Sequence, residues 1–409
     1  MNLLRSLPPD GRLLFTTRIV RLFAYGFLSV VLALYLIVVV HDEQRVGFVL
    51  SLTLLGDAGV SLWITFVADR IGRRRMLIAG ALLMIFAGVI FVVTENFLLL
   101  TIAAIIGVIS PSGNEIGPFL SIEQAALSQS IPNTVRTQVF AWYNLAGSLA
   151  TACGALVGGE LAEALRKAGM TPLDSYRVVL IGYALLGGVL ILLFLRLSSA
   201  VEIAQPMHTA LASRFGLHRS RGVVLRLSAL FGLDAFAGAL VVQSLFAYWF
   251  YVRFGVDTGT IGAIFFGANI LAGLSALAAA RVAARIGLIR TMVYTHMPSN
   301  LLLMLIPLMP TLPLAIIVLL LRFSISQMDV PTRQSYTMAV VDPDERSAAS
   351  GITTIARSVG AAFSPYLTGA MLAASLLSLP FLVAGSLKIV YDLSLYRSFQ
   401  ALKPPEERG

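Results

Sequence analysis

Long apolar runs broken by short charged or polar punctuation dominate the chain from residue 13 to residue 396. Read at the length a helix needs to cross a hydrocarbon core of ~30 Å, they predict twelve spans. These are 13–40, 46–67, 76–93, 97–129, 138–165, 176–197, 223–252, 258–280, 291–308, 314–341, 347–374 and 380–396. The longest polar stretch, 198–222, separates six spans from six and is too short to be a domain. Its basic Arg214, His218, Arg219 and Arg221 predict a linker at a membrane surface, partly an amphipathic helix. The expected organisation is a six-helix bundle over 1–197, a linker over 198–222, a second six-helix bundle over 223–396 and a tail over 397–409.

Composition agrees with that pattern. The chain is 57% hydrophobic and 12% charged, with a mean hydropathy of +0.85, too little polar surface for a soluble protein of 409 residues. The net charge of +9 does not point to nucleic acid, because the arginines fall in short loops between spans. With the N-terminus inside, those loops and tails hold Arg5, Arg12, Arg70, Arg73, Arg74, Arg75, Arg281, Arg285, Arg290 and Arg397 among others. The outer loops hold only Arg45, Arg166, Lys167, Arg177 and Arg253. This asymmetry predicts cytoplasmic termini, and the compact layout predicts a bacterial inner, or plasma, membrane. The single Cys153 lies in an apolar run, so no disulfide framework is expected, and no cleavable leader is evident.

The two halves repeat. Arg70-Ile71-Gly72 with Arg75 recurs as Arg285-Ile286-Gly287 with Arg290, with Ala284 in place of Asp69. Pro132 and Arg136 recur as Pro343 and Arg346. Gly154-Ala155-Leu156-Val157-Gly158-Gly159 on the fifth span corresponds to Ser364-Pro365-Tyr366-Leu367-Thr368-Gly369 on the eleventh. Glu123-Gln124 and Arg333-Gln334 stand at the same repeat offset, a charge inversion that predicts attraction between the halves.

The turn Asp69-Arg70-Ile71-Gly72-Arg73-Arg74-Arg75, between the second and third spans, resembles the signature loop of the major facilitator superfamily. That family carries Gly four residues before the Asp, where this chain has Thr65. The resemblance implies an all-α membrane protein of twelve helices in two six-helix pseudo-repeat bundles. It further implies that spans one, four, seven and ten line a central cavity, and that Asp69, Arg70 and Arg73 take part in gating. The glycine run on the fifth span resembles a motif of proton-coupled exporters of the superfamily, although Ala155 replaces its Pro. Physically, small residues there allow the fifth and eighth spans to approach closely.

Ionisable groups inside a bilayer are costly and mark functional or structural sites. The four spans named above carry Arg18, Arg21, Glu115, Glu123, Asp234, Arg322, Asp329 and Arg333. Arg18, Arg21 and Tyr25 share a helix face, and Glu123 at matching depth is the expected partner of Arg18 or Arg21 in a gating or structural ion pair. Glu115, Asp234 and Asp329 lie nearer the midplane with no cation evident from the sequence. They are the candidate proton-coupling or substrate-binding carboxylates, with Asn114 and Gln327 as polar neighbours. The alternative is that these carboxylates pair with Arg322 or Arg333 in a structural network. The run 110–115 interrupts the fourth span with Pro111 and Gly113, as broken helices do beside transporter sites.

No nucleotide-binding loop, metal-binding helix or nucleophile with its base is present in the sequence, so neither an enzyme nor a cofactor is expected. His41, His208, His218 and His296 lie near loops or span ends and form no ligand spacing. The expectation is a monomeric secondary active transporter, an antiporter that effluxes a small organic solute against protons. Proton-coupled uptake, or a non-transporting receptor or scaffold on the same fold, are the alternatives. Substrate charge stays open: the carboxylates favour a cation, while Arg21, Arg322 and Arg333 suit an anion.

Overall fold

A computed structural model describes residues 7–113, 119–130, 133–202, 219–342 and 345–402, with side chains omitted at 65, 66, 69, 70, 130, 133–138 and 347. Among the described residues there is no strand. In chain order the helices are α1 (Pro9–Ser29), α2 (Leu32–Val40), α3 (Glu43–Ile71), α4 (Arg73–Val93), α5 (Phe97–Ile106), α6 (Phe119–Ser130), α7 (Asn133–Lys167) and α8 (Pro172–Phe194). They are followed by α9 (Arg221–Ala239), α10 (Gln243–Phe254), α11 (Thr258–Ile286), α12 (Leu288–Leu305), α13 (Leu312–Phe323), α14 (Asp329–Val340), α15 (Arg346–Ala362), α16 (Ser364–Ala373) and α17 (Leu379–Phe399).

Among the described residues, seven segments are long and apolar enough to cross a membrane, and eight if α1 and α2, bent by 43°, form one span. The helices follow the order expected for twelve crossings, with several crossings interrupted. Predicted spans 97–129, 314–341 and 347–374 appear as the pairs α5 and α6, α13 and α14, α15 and α16. The residues between α13 and α14 form turns at the Ser324–Met328 polar run.

Polar residues set the ends. The Asp42 carboxylate caps α3 through the Arg45 N–H at 2.9 Å, Asn96 caps α5 through Leu98 and Leu99, and Thr171 caps α8. Both copies of the Arg-Ile-Gly turn end their helix on a glycine with positive φ, 114° at Gly72 and 89° at Gly287. That region penalises any Cβ, which explains why both copies keep glycine there. The first turn of α4 is basic, an unfavourable placement at the positive end of a helix. Glu202 offsets it, accepting from the N–H groups of Arg73 at 2.7 Å and Arg74 at 3.2 Å. Glu345 does the same before α9, for the N–H groups of Arg219 and Ser220, both at 2.8 Å.

The chain forms two compact units: residues 1–207 with 242–269, and residues 208–241 with 270–409. In the first unit the seam between α1 and α7 is made of bare backbone. A Cβ on Gly154 would lie 2.0 Å from the Phe23 carbonyl oxygen, and one on Gly158 would lie 2.1 Å from that of Phe27. Gly159 instead faces α11, where a Cβ would come within 2.4 Å of the Thr258 carbonyl. The glycine run therefore serves two neighbours: Gly154 and Gly158 face α1, while Ala155, Leu156 and Gly159 meet α11 around Gly262.

In the second unit the corresponding seam, between α9 and α15–α16, uses hydroxyls. Ser364 Oγ donates to the Phe236 carbonyl at 2.6 Å and Thr368 Oγ1 to the Leu240 carbonyl at 2.7 Å. An apolar core of Leu227, Phe231, Met292, Tyr336, Tyr391 and Leu395 underlies α9, α12, α14 and α17.

Candidate functional site

Each unit buries one charged cluster. In the first, the Arg21 guanidinium on α1 makes a two-pronged pair with the Glu123 carboxylate on α6, at 2.7 and 2.8 Å, and neither side chain is exposed at all. Thr17 Oγ1 donates to Glu123 at 2.9 Å, and the Tyr143 hydroxyl donates to its other oxygen. Arg18 turns the other way, over the Tyr143 ring with 4.2 Å to its centroid, and donates to Asn144 Oδ1 at 3.2 Å. So the structure brings Arg21, not Arg18, to Glu123. A bidentate fork with two further donors satisfies both oxygens of a buried carboxylate.

The second cluster is centred on Asp234, buried on α9. Its Oδ1 accepts from Lys388 Nζ on α17 at 2.6 Å. Its Oδ2 accepts from Arg333 Nη1 on α14 at 3.0 Å and from Arg357 Nη1 on α15 at 3.3 Å. Arg333 also pairs with Asp329 at 3.0 Å, one helical turn away. His296 Nε2 on α12 lies 3.9 Å from Asp234, while its Nδ1 lies 2.8 Å from Asp392 on α17. Asn300 Nδ2 donates to Asp392 at 2.9 Å.

Asp234 and Asp329, for which the sequence left open a bare carboxylate or a pairing with Arg322 or Arg333, both pair with Arg333. Arg357 and Lys388, the further partners of Asp234, lie 123 and 154 residues away from it. His296, which the sequence places near a span end, is a buried member of the cluster. The inverted charges Glu123 and Arg333 each have partners within their own unit, Arg21 for the first and Asp234 with Asp329 for the second.

The inversion is itself regular. Arg21 and Asp234 stand at similar distances into the first helix of their halves, and their partners Glu123 and Arg333 occupy equivalent places on the fourth and tenth spans. Lys388, Arg357, Asp392 and Asn300 escaped the sequence reading, although Lys388 and Asp392, four residues apart in an apolar span, are a visible signal.

Other candidates are placed as follows. Glu115 and Asn114 lie outside the described residues. Asp69 and Arg70 fall in the last turn of α3, their side chains outside the described set. Arg73 is buried, its Nη1 donating to Gln129 Oε1 at 2.8 Å and to the Val201 carbonyl at 3.4 Å. The Gln327 N–H reaches Ser275 Oγ on α11 at 3.3 Å. At the break in the fourth span, Gly113, with φ 67°, packs against Ser29 Oγ and Gln243 Nε2, and a hydrogen bond of 2.7 Å joins those two. Asn269 Nδ2 extends this polar chain to Gln243 Oε1 at 3.2 Å. Among the described residues no group of three His, Cys, Asp or Glu has the arrangement of a metal site.

Residues 14–365 match the family model of the Major Facilitator Superfamily. The chain belongs to the major facilitator superfamily. It is 31% identical to the uncharacterized membrane protein YJR124C of Saccharomyces cerevisiae, over 94% of this chain and 93% of that one. Among solved structures it resembles the nucleoside transporter NupG, with a TM-score of 0.73 and 14% identity, covering 96% of this chain and 100% of that one. It resembles the D-xylose-proton symporter with a TM-score of 0.73 and 14% identity, over 95% and 97% of the two chains. The human organic anion transporter MFSD10 gives a TM-score of 0.65 at 16% identity, over 95% and 100%. Identities this low carry the fold and no more. The protein is thus an integral, multi-pass membrane transporter of the superfamily, and its buried clusters are features of a transporter interior.

Proposed function

We propose that this superfamily transporter exports a small organic solute in exchange for protons, by alternating access in a plasma or bacterial inner membrane with both termini cytoplasmic, and acts as a monomer. The observation that carries the reading is the Asp234 cluster. One buried carboxylate is held by Lys388 and shared between Arg333 and Arg357, with the His296–Asp392 pair beside it. A proton arriving on Asp234 cancels the charge that holds three cations on three different helices, so protonation loosens α9 from α14, α15 and α17 together. That is a route from a proton to a conformational change, because the proton binds the two arrangements with different affinity. Asp329 shares Arg333 and is coupled to the same event. Glu115 is the corresponding candidate of the first half, and the Gly154–Gly159 run supports the export direction.

Flux in proteoliposomes under an imposed pH gradient tests this. Asp234→Asn is expected to abolish accumulation driven by the gradient while sparing exchange down a substrate gradient. Glu115→Gln and Asp329→Asn are expected to weaken the coupling. If all three variants concentrate solute as the unaltered protein does, these carboxylates do not couple.

A further inference from the structure

The second unit carries more positive than negative charge in its interior. Among its described membrane-embedded residues, Asp234, Asp329 and Asp392 face four cations, Arg322, Arg333, Arg357 and Lys388, before any proton is counted on His296. The surplus is not spread evenly. Lys388 has Asp234 Oδ1 at 2.6 Å, and Arg333 has both Asp234 and Asp329 at 3.0 Å. Arg357 has only a share of Asp234 Oδ2, at the longest distance of the set, 3.3 Å, on an oxygen already taken by Arg333. A guanidinium offers five donors in a planar fork, and one contact of Arg357 to the cluster is recorded.

Arg357 is also the open member. Its side chain is 35% exposed, against 6–8% for Asp234, Arg333 and Lys388. It lies eleven residues into α15, about 16 Å from the start of that helix, so it is deep in a membrane protein. An arginine at such depth is costly in hydrocarbon, so the part of its fork not held by Asp234 calls for a polar or charged partner. Arg322 adds to the surplus: it makes no ion pair among the described residues, and its Nε is buried without a hydrogen-bond partner. A low-dielectric interior with excess positive charge and an open, under-occupied guanidinium is built for a carboxylate, which takes a planar fork in two parallel hydrogen bonds.

From this geometry we infer that the transported solute is an organic anion and that Arg357 receives its carboxylate. The inference rests on the transporter reading above and names its substrate class. A bound carboxylate draws Arg357 away from Asp234, leaving that aspartate with Lys388 and Arg333.

The test is equilibrium binding to the purified full-length protein in detergent at one fixed pH, read as thermal stabilisation. The probes are matched sets: benzoate, benzamide and benzylamine, and glutarate with its diamide and diamine. No gradient is present, so the result is independent of proton coupling. If coupling fails but the anions bind, only the earlier reading is lost.

The expected result is a concentration-dependent rise in Tm with at least one carboxylate and none with its amide or amine. Losing a charge-assisted hydrogen bond corresponds to about 10- to 100-fold in affinity, so Arg357→Gln should weaken binding by at least about tenfold. Arg357→Lys, which keeps the charge but not the fork, should retain part of it. Asp234 keeps two cations in either variant, so both are expected to fold. The comparison of carboxylate with amide on the unaltered protein needs no variant at all. Stabilisation by the amines, equal stabilisation by all members, none by any carboxylate up to tens of millimolar, or unchanged affinity in Arg357→Gln would each overturn the assignment.

Discussion

Removing Arg21 from its partner is the sharpest perturbation of the first cluster. Glu123 is fully buried and accepts four hydrogen bonds: two from Arg21 at 2.7 and 2.8 Å, one from Thr17 at 2.9 Å and one from Tyr143. In Arg21→Met the carboxylate keeps two hydroxyl donors but loses its countercharge. Breaking one side of a buried pair costs roughly 3–5 kcal/mol, and the two remaining donors put this variant at the lower end, about 3 kcal/mol. Glu123→Leu takes the countercharge from a buried guanidinium, which also lies over the Phe119 ring at 4.7 Å from its centroid, so about 4 kcal/mol is expected. The double variant has no stranded charge. Thr17 Oγ1 still donates to the Leu14 carbonyl at 3.0 Å, and the Tyr143 hydroxyl loses its bond to Glu123, at about 1–3 kcal/mol. The sum of the singles, about 7 kcal/mol, thus exceeds the double by roughly 4–6 kcal/mol. Equilibrium unfolding in mixed SDS micelles, run as a double-mutant cycle, measures that difference. Effects that add to within about 0.5 kcal/mol, as independent sites do, would refute the reasoning.

Other expectations follow from single features. Gly154→Ala, with its Cβ 2.0 Å from the Phe23 carbonyl, should lower Tm sharply or abolish folded protein. Gly188→Ala, with open space around it, should leave Tm unchanged or slightly raised; equal behaviour of the two by fluorescence-detected size exclusion would contradict the seam. Asp257 precedes α11 and accepts from the Thr260 N–H at 2.8 Å and its hydroxyl at 3.0 Å. Burial pushes its carboxyl up, but those hydrogen bonds outweigh burial and hold it below its ordinary 3.8. A depressed value stabilises the fold above the ordinary carboxylate range, and the contribution fades as pH falls below it. Asp257→Ala should therefore cost about 1 kcal/mol at pH 7 and less near pH 3, read from melting curves at both. Asp69→Asn is expected to reduce solute flux severely with membrane insertion intact, and unchanged flux would remove Asp69 from gating.

Much of this was legible in the order of residues because a bilayer simplifies the question. Apolar runs of one length report spans, and charge inside them reports a site, so Arg21, Glu123, Asp234, Asp329 and Arg333 stood out. The turn glycines Gly72 and Gly287 were visible as a repeat, and their positive φ supplies the reason for it. Partners were harder. Arg21 and Glu123 could be matched by depth and face, but nothing local connects Asp234 to Lys388, which packing alone brings together. His296 lies near a span end in the sequence, and nothing local announces its burial or its contact with Asp392. The fourth and tenth spans differ from unbroken rods because Pro111, Gly113 and the Ser324–Met328 run remove or divert backbone bonds that a continuous helix would make.

The separation between Asp234 and Lys388 also has a consequence for how the chain is made. At a synthesis rate of about 5–20 residues per second, a lysine 154 residues downstream emerges about 8–30 s after the aspartate it neutralises. Arg21 is upstream of Glu123, so that carboxylate enters the membrane with its counterion already there. Asp234 has no such luck of order: Arg333, Arg357 and Lys388 all follow it. The nascent second half must hold an unpaired aspartate, protonated or kept at the water interface, until its later helices arrive, and the final helix completes the set. A ribosome stalled before residue 388 would leave an intermediate whose interior charge is unfinished, and that intermediate is what membrane quality control would meet.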